Sequence, residues 1–381
     1  MIPMLGPATP ENWTAEASGV WRVAQPDEPL GGRLAELIEN DRVRPGAGLY
    51  LWRQGDAPGG ASEGVGLRVS NRLAHIAPGD VISVSQDGRR IAVAWKASVE
   101  HNSILLTERC EHACVMCSQP PKDRDDGYLY DHAKDIIGLL PAGARALTLT
   151  GGEPTTDRRA FLEVLAHIRR TQPSLRVHVL SNGRSFRDPA FAAQFAGVAT
   201  STTTVGIPLY GAESNRHDYV VQSDGAFTDT VRGIIRLAER GIDVELRVVL
   251  LRATVPALME VARFVVRNLP FVSQVSLMGL EMIGYAKSNS DLVWIDPFAY
   301  RSDLRAVTEM LTASGLNVRI FNHPLCIIDP VLWPFADRSI SDWKRQYPAV
   351  CCGCAVRDAC GGVFGTSGSR VSAHLAPVAA G

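Results

Sequence analysis

The sequence predicts an α/β protein: a partial (βα)6 TIM-like barrel set between a small β-rich amino-terminal domain and a cysteine-rich carboxyl-terminal extension. Three observations predict it. From Asn102 onward, apolar runs of strand length alternate with stretches of helical periodicity, the pattern of a parallel sheet with helices packed on it. The first hundred residues have a different texture, rich in Gly and Pro. All eight cysteines fall in two groups, three within 110–117 and five within 326–360. The expected boundaries are 1–100 for the first domain, 101–315 for the barrel and 316–381 for the extension and its tail.

Composition narrows the class. At 381 residues the chain is long enough for two or three domains, or for one large domain with appendages. A formal net charge of -1 gives no nucleic-acid footprint. The start, MIPMLGPATPENW, lacks a basic region followed by an apolar core, and no apolar run reaches the roughly 18 residues of a membrane span. A cytoplasmic protein is expected. Thiols stay reduced in that compartment, so two dense cysteine groups point to metal or redox chemistry before disulfides.

In the first domain APGGASEGVG (57–66) reads as a loop. VISVSQDGRRIAVAW (81–95) reads as a hairpin with Asp87-Gly88 as a two-residue turn between alternating runs. The barrel strands follow at SILLTE (103–108), ALTLT (146–150), VHVLS (177–181), TTVGIPL (203–209), VELRVVLL (244–251) and VSLMGLE (275–281). Between them lie amphipathic helices. In 157–170, Phe161, Leu162, Leu165 and Ile168 recur at helical spacing behind an Asp157 cap. In 225–241, Phe227, Val231, Ile234 and Ala238 form the stripe and Gly241 ends it. Six units fit an open barrel, and a doubly wound sheet gives nearly the same pattern. In both, the site lies at the carboxyl ends of the strands.

The first strand delivers CEHACVMC (110–117) to that end. Two cysteines would indicate a dithiol or half a zinc site, and four would saturate a zinc ion or an iron-sulfur cluster. Three thiolates at C-x3-C-x2-C leave one iron of a four-iron cubane open to an outside ligand. After the second strand stands Gly151-Gly152-Glu153-Pro154, where two residues without Cβ allow a ligand to approach the backbone and a carboxylate can face an ammonium group.

Together these motifs resemble the radical S-adenosylmethionine (radical SAM) superfamily. The resemblance implies that Cys110, Cys114 and Cys117 hold a 4Fe-4S cluster whose fourth iron is chelated by the amine and carboxylate of S-adenosylmethionine. Met116 takes the position that packs on adenine in the family, Ser181 and Asn182 match the polar turn that meets the ribose, and Gly151, Gly152, Glu153 and Pro154 complete the cofactor site. Each has a plainer reading, Met116 as loop core and Ser181-Asn182 as an ordinary Asn-Gly turn. The chain departs from the wider peptide-modifying pattern at Pro208-Leu209-Tyr210-Gly211, where many relatives carry Ser-Leu-Asp-Gly, and lacks the arginine that follows. Arg247 on the fifth strand could meet the cofactor carboxylate instead, or form a salt bridge.

The second cysteine group, CCGCAVRDACGG (351–362), resembles the auxiliary-cluster extension of peptide maturases. With Cys326, the residues Cys351, Cys354 and Cys360 reach four, enough for a second 4Fe-4S cluster or for zinc. Cys352 is the spare and could replace Cys351. The flanks HNSILLTERC (101–110), VMCSQPPK (115–122), SLMGLEMIGYAKSN (276–289), WPFADRSISDWK (333–344) and CGCAVRDACGG (352–362) are similar to HxsC-type maturases of the His-Xaa-Ser system. That resemblance implies a His-Xaa-Ser-repeat peptide substrate, a second radical SAM maturase and an external electron donor as partners. A radical enzyme for a small heterocycle, or a noncatalytic metal scaffold, is the competing class. His112 reads as a solvent-facing filler or a cluster ligand. Glu281, Tyr285 and Tyr210 are expected at the barrel mouth, Asp123 to Asp126 as a solvated connection, and SGSRVSAHLAPVAAG as a poorly ordered tail.

Overall fold

The expected alternation of strands and helices begins at Asn102, and the described residues before it form seven strands with only two short 3-10 turns, Ala15–Ala17 and Asn71–Leu73, between them. The structure, a computed structural model, describes residues 4–38, 44, 46–53, 65–339 and 344–379. Two compact units divide the chain. One comprises 1–106, 127–148 and 163–177, and the other 107–126, 149–162 and 178–381. Among the described residues no helix is long and apolar enough to cross a membrane.

The first unit holds β1 (Leu5–Glu11), β2 (Gly19–Val23), β3 (Leu34–Leu37), β4 (Leu49–Arg53), β5 (Gly66–Val69), β6 (Val81–Val84) and β7 (Arg90–Trp95). They close in the order β1-β5-β4-β3-β2-β6-β7. The β-rich domain is thus a closed barrel. Side chains alternate across a strand, so Leu49 and Leu51 of β4 join the interior with Trp21, Leu67, Ile82 and Ile91, while Tyr50 and Trp52 form a second cluster with Ile38.

Most of the loop read at 57–66 lies outside the described residues. The hairpin forms, with Val84 opposite Ile91. Its connection is longer than the expected two-residue turn. Ser85 N donates to Arg90 O, Gly88 N donates to Ser85 O, and Gly88 takes φ +68°. Asp87 Oδ1 accepts from Ser85 Oγ and Arg89 N, which stabilises a four-residue loop instead.

A buried ion pair closes the end of this barrel. Lys96 Nζ lies 2.6 Å from Asp80 Oδ2, and the fully buried Asp80 also accepts from Ala77 N and Ala97 N. Lys96 Nζ donates as well to His75 O.

The second sheet has eight strands: β8 (Asn102–Leu105), β9 (Ala146–Thr150), β10 (Arg176–Leu180), β11 (Thr203–Pro208), β12 (Asp243–Val249), β13 (Gln274–Met278), β14 (Val318–Phe321) and β15 (Ala336–Asp337). They lie in chain order without reversal, and the pairs from β11 to β15 are parallel. A doubly wound sheet reverses its strand order at a switch point, so the sequential order selects the partial-barrel arrangement. The six expected strands are all present. The last two correct the count from six to eight, and both come from residues after 316. VRIF in β14 is four residues long and β15 only two, too short for alternation to be legible.

Nine α-helices are found among the described residues: α1 (Tyr128–Gly138), α2 (Arg158–Thr171), α3 (Pro189–Val198), α4 (Ser214–Val221), α5 (Ala226–Ala238), α6 (Leu258–Asn268), α7 (Tyr285–Ser288), α8 (Ser290–Val293) and α9 (Arg301–Ala313). Asp157 caps α2 as expected, accepting from Ala160 N. The stripe of α5 is rotated from the expected one. Ala226, Thr230, Gly233, Ile234 and Leu237 are buried, and of the predicted set only Ile234 belongs to it. The cause is polar: Thr230 Oγ1 donates to Asn182 O, and Asp229 accepts from Arg184 Nη2. A Cβ on Gly233 would meet Gly183 O at 2.1 Å, so the helix and the turn after β10 approach as closely as backbones can.

Lys96→Met leaves the Asp80 charge buried with amides alone. The expected loss is about 3–5 kcal/mol in the unfolding of the amino-terminal barrel, measured by urea denaturation.

Candidate metal and cofactor site

Seven strands end around one cavity of about 360 Å³ in the second unit. Cys110, Cys114 and Cys117 line it, as do Met116, Gly151, Gly152, Ser181, Asn182 and Arg247. Among the other lining residues are Tyr210, Glu281 and His112. Of the residues singled out in the sequence for the cofactor, Glu153 and Pro154 stand outside this lining.

The loop after β8 is held from both sides. Asp126 accepts from Thr107 Oγ1, Glu108 N and Arg109 Nε, while Glu108 pairs with Lys122 and Arg124. Asp126 is fully buried, so the charged run 123–126 is more than a solvated connection. Opposite, Ala113 N and Val115 N donate to Val221 O and Val220 O at the end of α4. Asn289 Nδ2 donates to Val115 O, and Tyr285 N to Cys117 O. Tyr285 therefore braces the loop through its backbone and does not line the cavity.

Gly151 and Gly152 are required by their own neighbours. A Cβ on Gly151 would lie 2.7 Å from Thr107 O, and one on Gly152 only 2.2 Å from Arg109 O. Gly152 N and Glu153 N donate to these same carbonyls. The glycines thus let two backbones touch behind the cavity.

Glu153 points away from the cavity into this seam. Its Oε1 accepts from Thr155 N, Thr155 Oγ1 and Ser181 Oγ, and its Oε2 from Asn182 N at 2.7 Å. Burial, reinforced by the Glu111 charge, pushes its carboxyl up to about 7 against those donors. With 1% of its surface exposed, it is an organiser, which corrects the expectation that it faces an ammonium group. Asn182 in turn donates through Nδ2 to Glu111 Oε1, tying the turn after β10 to the cysteine loop.

Arg247 lines the cavity but is already paired. Its Nη1 lies 3.1 Å from both oxygens of Glu245, which also receives His178 Nε2 at 2.7 Å and the Ser276 hydroxyl. Burial alone would raise Glu245; the His178 hydrogen bond and the Arg247 charge outweigh it and hold the carboxyl at about 2. Arg247 thus forms a salt bridge with Glu245 and at the same time lines the cavity.

Met116 packs with Val115, Tyr210, Val220 and Val221. His112 is buried rather than solvent-facing, and among the described residues its Nε2 has no hydrogen-bond partner. Beside it His217 is also buried, its Nδ1 accepting from Tyr210 N at 3.3 Å. Burial holds its pKa down to about 4, so it is neutral at pH 7.

The three thiols are pushed up by burial, Cys114 to about 12. A cationic metal group is what turns such thiols into thiolate ligands, so the donor set fits the cluster the sequence implies. Among the described residues, no three or more His, Cys, Asp or Glu side chains are gathered as around a single ion.

A second, more enclosed cavity is lined by Cys326, Cys351, Cys354 and Cys360. Cys352 is exposed and does not line it.

A family model described as the Radical SAM superfamily matches residues 104–265, less than half of the chain. This supports a radical SAM domain there, and with it an enzyme, and leaves the reaction open. No curated relative matches the sequence. Among solved structures, SuiB of Streptococcus suis bound to S-adenosylmethionine is 15% identical, with 58% of this chain aligned to 50% of that chain at a TM-score of 0.46. Native anSMEcpe with bound AdoMet and Cp18Cys peptide is 16% identical over 57% of this chain and 63% of that one, at 0.43. The methyltransferase TsrM from Kitasatospora setae, with cobalamin and a [4Fe-4S] cluster, is 15% identical over 52% and 46%, at 0.36. The chain thus spans about half the length of SuiB.

Because the Glu245 carboxyl is depressed, its stabilisation is complete above about pH 4.5 and is lost as pH falls through about 2. Glu245→Gln should be less stable than the parent by roughly 3 kcal/mol at pH 7, with the gap closing towards pH 2 in urea titrations.

Proposed function

We propose that the protein is a radical SAM maturase acting on a His-Xaa-Ser-repeat peptide. The observation that carries this reading is the convergence of Cys110, Cys114 and Cys117 with Gly151, Gly152, Ser181 and Asn182 on one cavity at the strand ends. Cys110, Cys114 and Cys117 would ligate a 4Fe-4S cluster. With that cluster and S-adenosylmethionine bound, the site would supply reductive cleavage of the sulfonium bond to a 5′-deoxyadenosyl radical, given an external electron donor.

The chain's own residues have definable tasks. Met116 and Tyr210 give the cavity an apolar wall for a flat base. Asn182 is oriented by Glu111 and by Arg184 N, so its position does not depend on a ligand. Arg247, held by Glu245 through one nitrogen, keeps donors free for a carboxylate. Glu281 brings a charge to the opposite rim, where Lys344 Nζ lies 3.0 Å away and limits it to orienting a polar group.

The peptide substrate rests on the resemblance of the flanks to HxsC-type maturases, and a second maturase of that system is the expected partner. Cys326, Cys351, Cys354 and Cys360 would hold a second 4Fe-4S cluster. Four thiols leave no open iron there for a small heterocycle, which favours the peptide reading.

Anaerobic reconstitution with S-adenosylmethionine, reductant and a His-Xaa-Ser-repeat peptide should yield 5′-deoxyadenosine and a peptide mass change. Cys114→Ala should abolish both. Deoxyadenosine without a mass change would reject the peptide, and absence of both with full iron content would reject the enzyme.

A further inference from the structure

The closing segment, read in the sequence as a poorly ordered tail, is stitched to the second cysteine cavity. Arg370 pairs with Asp291 and lies over the Trp294 ring. Further along, His374 stacks on Phe298 with ring centroids 3.7 Å apart. Leu375 and Ala376 then line the cavity itself. The Ala376 amide is directed toward the Cys326 sulfur. Val378 N donates to the Cys354 sulfur at 3.4 Å, while Val378 O accepts from Ala355 N at 2.9 Å. The segment is thus pinned on both sides of the quartet.

The core treats a third thiol in the same way. Cys360 Sγ accepts from Leu325 N and Gly362 N, each at 3.4 Å. Thiol sulfur is a weak acceptor and thiolate a strong one, so amides aimed at three of the four sulfurs suit the ligated state. Two of those four amides belong to the closing segment. Its outward residues, Ala373, His374, Ala376 and Pro377, are exposed, and Leu375 and Val378 are half-buried beneath them. This is the organisation of a cover: the branched apolar side chains turn in, small residues and an imidazole turn out, and donors stand at the positions of the ligands.

We propose that residues 370–379 form the lid of the second metal centre, shielding it from solvent and tuning it through the amides of Ala376 and Val378. The proposal rests on the reading of Cys326, Cys351, Cys354 and Cys360 as a metal site. A lid of this kind slows loss of metal and, for an iron-sulfur cluster, raises its reduction potential by hydrogen bonding to sulfur.

The test uses the full chain carrying Cys110→Ala, Cys114→Ala and Cys117→Ala, so that all bound metal reports on the second site. It is compared with the same chain ending at Ser369. After anaerobic reconstitution, metal content, visible absorption and release to a chelator are followed. The full chain should hold its metal, and the shortened one should release it at least about tenfold faster. Equal release rates would overturn the lid. A full chain that binds neither iron nor zinc would overturn the metal-site reading itself, a different result. Val378→Pro keeps the segment and removes one donor. If iron is bound, its reduction potential should fall below the parent value; an unchanged potential, with an unchanged far-ultraviolet spectrum, would remove the tuning role. If zinc is bound, faster release from Val378→Pro is the expected result and an unchanged rate the contrary one.

Discussion

The buried carboxylate of Glu153 is the joint on which the site depends. Four donors converge on it from the turns after β9 and β10, and its own amide donates to Arg109 O in the cysteine loop. Three chain segments that are far apart in sequence are thereby set in one geometry. A carboxyl so deeply buried is expensive to ionise, which is why it is pushed up to about 7, and the hydrogen bonds that saturate it make the joint specific.

The same logic recurs around the cavity. Asp126 anchors the start of the cysteine loop, Glu245 anchors Arg247, and Asp229 anchors Arg184 and Arg187 beside the turn at Asn182. Each places a buried acid behind a loop or strand end that carries a lining residue. The lining itself combines thiols, glycines, Met116 and Tyr210 with polar groups such as Ser181, Asn182, Arg247 and Glu281. Rigid support behind an adaptable surface is the arrangement that positions a bound group without pre-empting its contacts.

The cysteine triad and quartet, the six principal strands and the Asp157 cap were legible because each is encoded within a short stretch. Spacing, alternation and caps are local signals. What escaped was nonlocal. The run DRDD looks like solvent-exposed charge, yet Asp126 meets Thr107 and Arg109 only in the folded chain. The stripe of α5 was misplaced because a hydroxyl and a carboxylate, rather than Phe227 and Val231, turn inward to meet the loop after β10. β14 and β15 were missed since strands of four and two residues carry no period. The seven-stranded barrel closes through pairings between β1 and both β5 and β7, which no local pattern announces.

The amino-acid sequence by itself determined which residues could ligate metal and the order in which strands would present them, because ligand spacing and strand order are properties of the chain. Tertiary structure alone decided that Cys351 faces the second cavity and Cys352 faces solvent, that Glu153 looks inward while Gly152 lines the cavity, and that the closing segment lies over sulfur. The reason is physical: adjacent residues differ by a rotation of the backbone, and only packing against distant segments fixes which of them is desolvated.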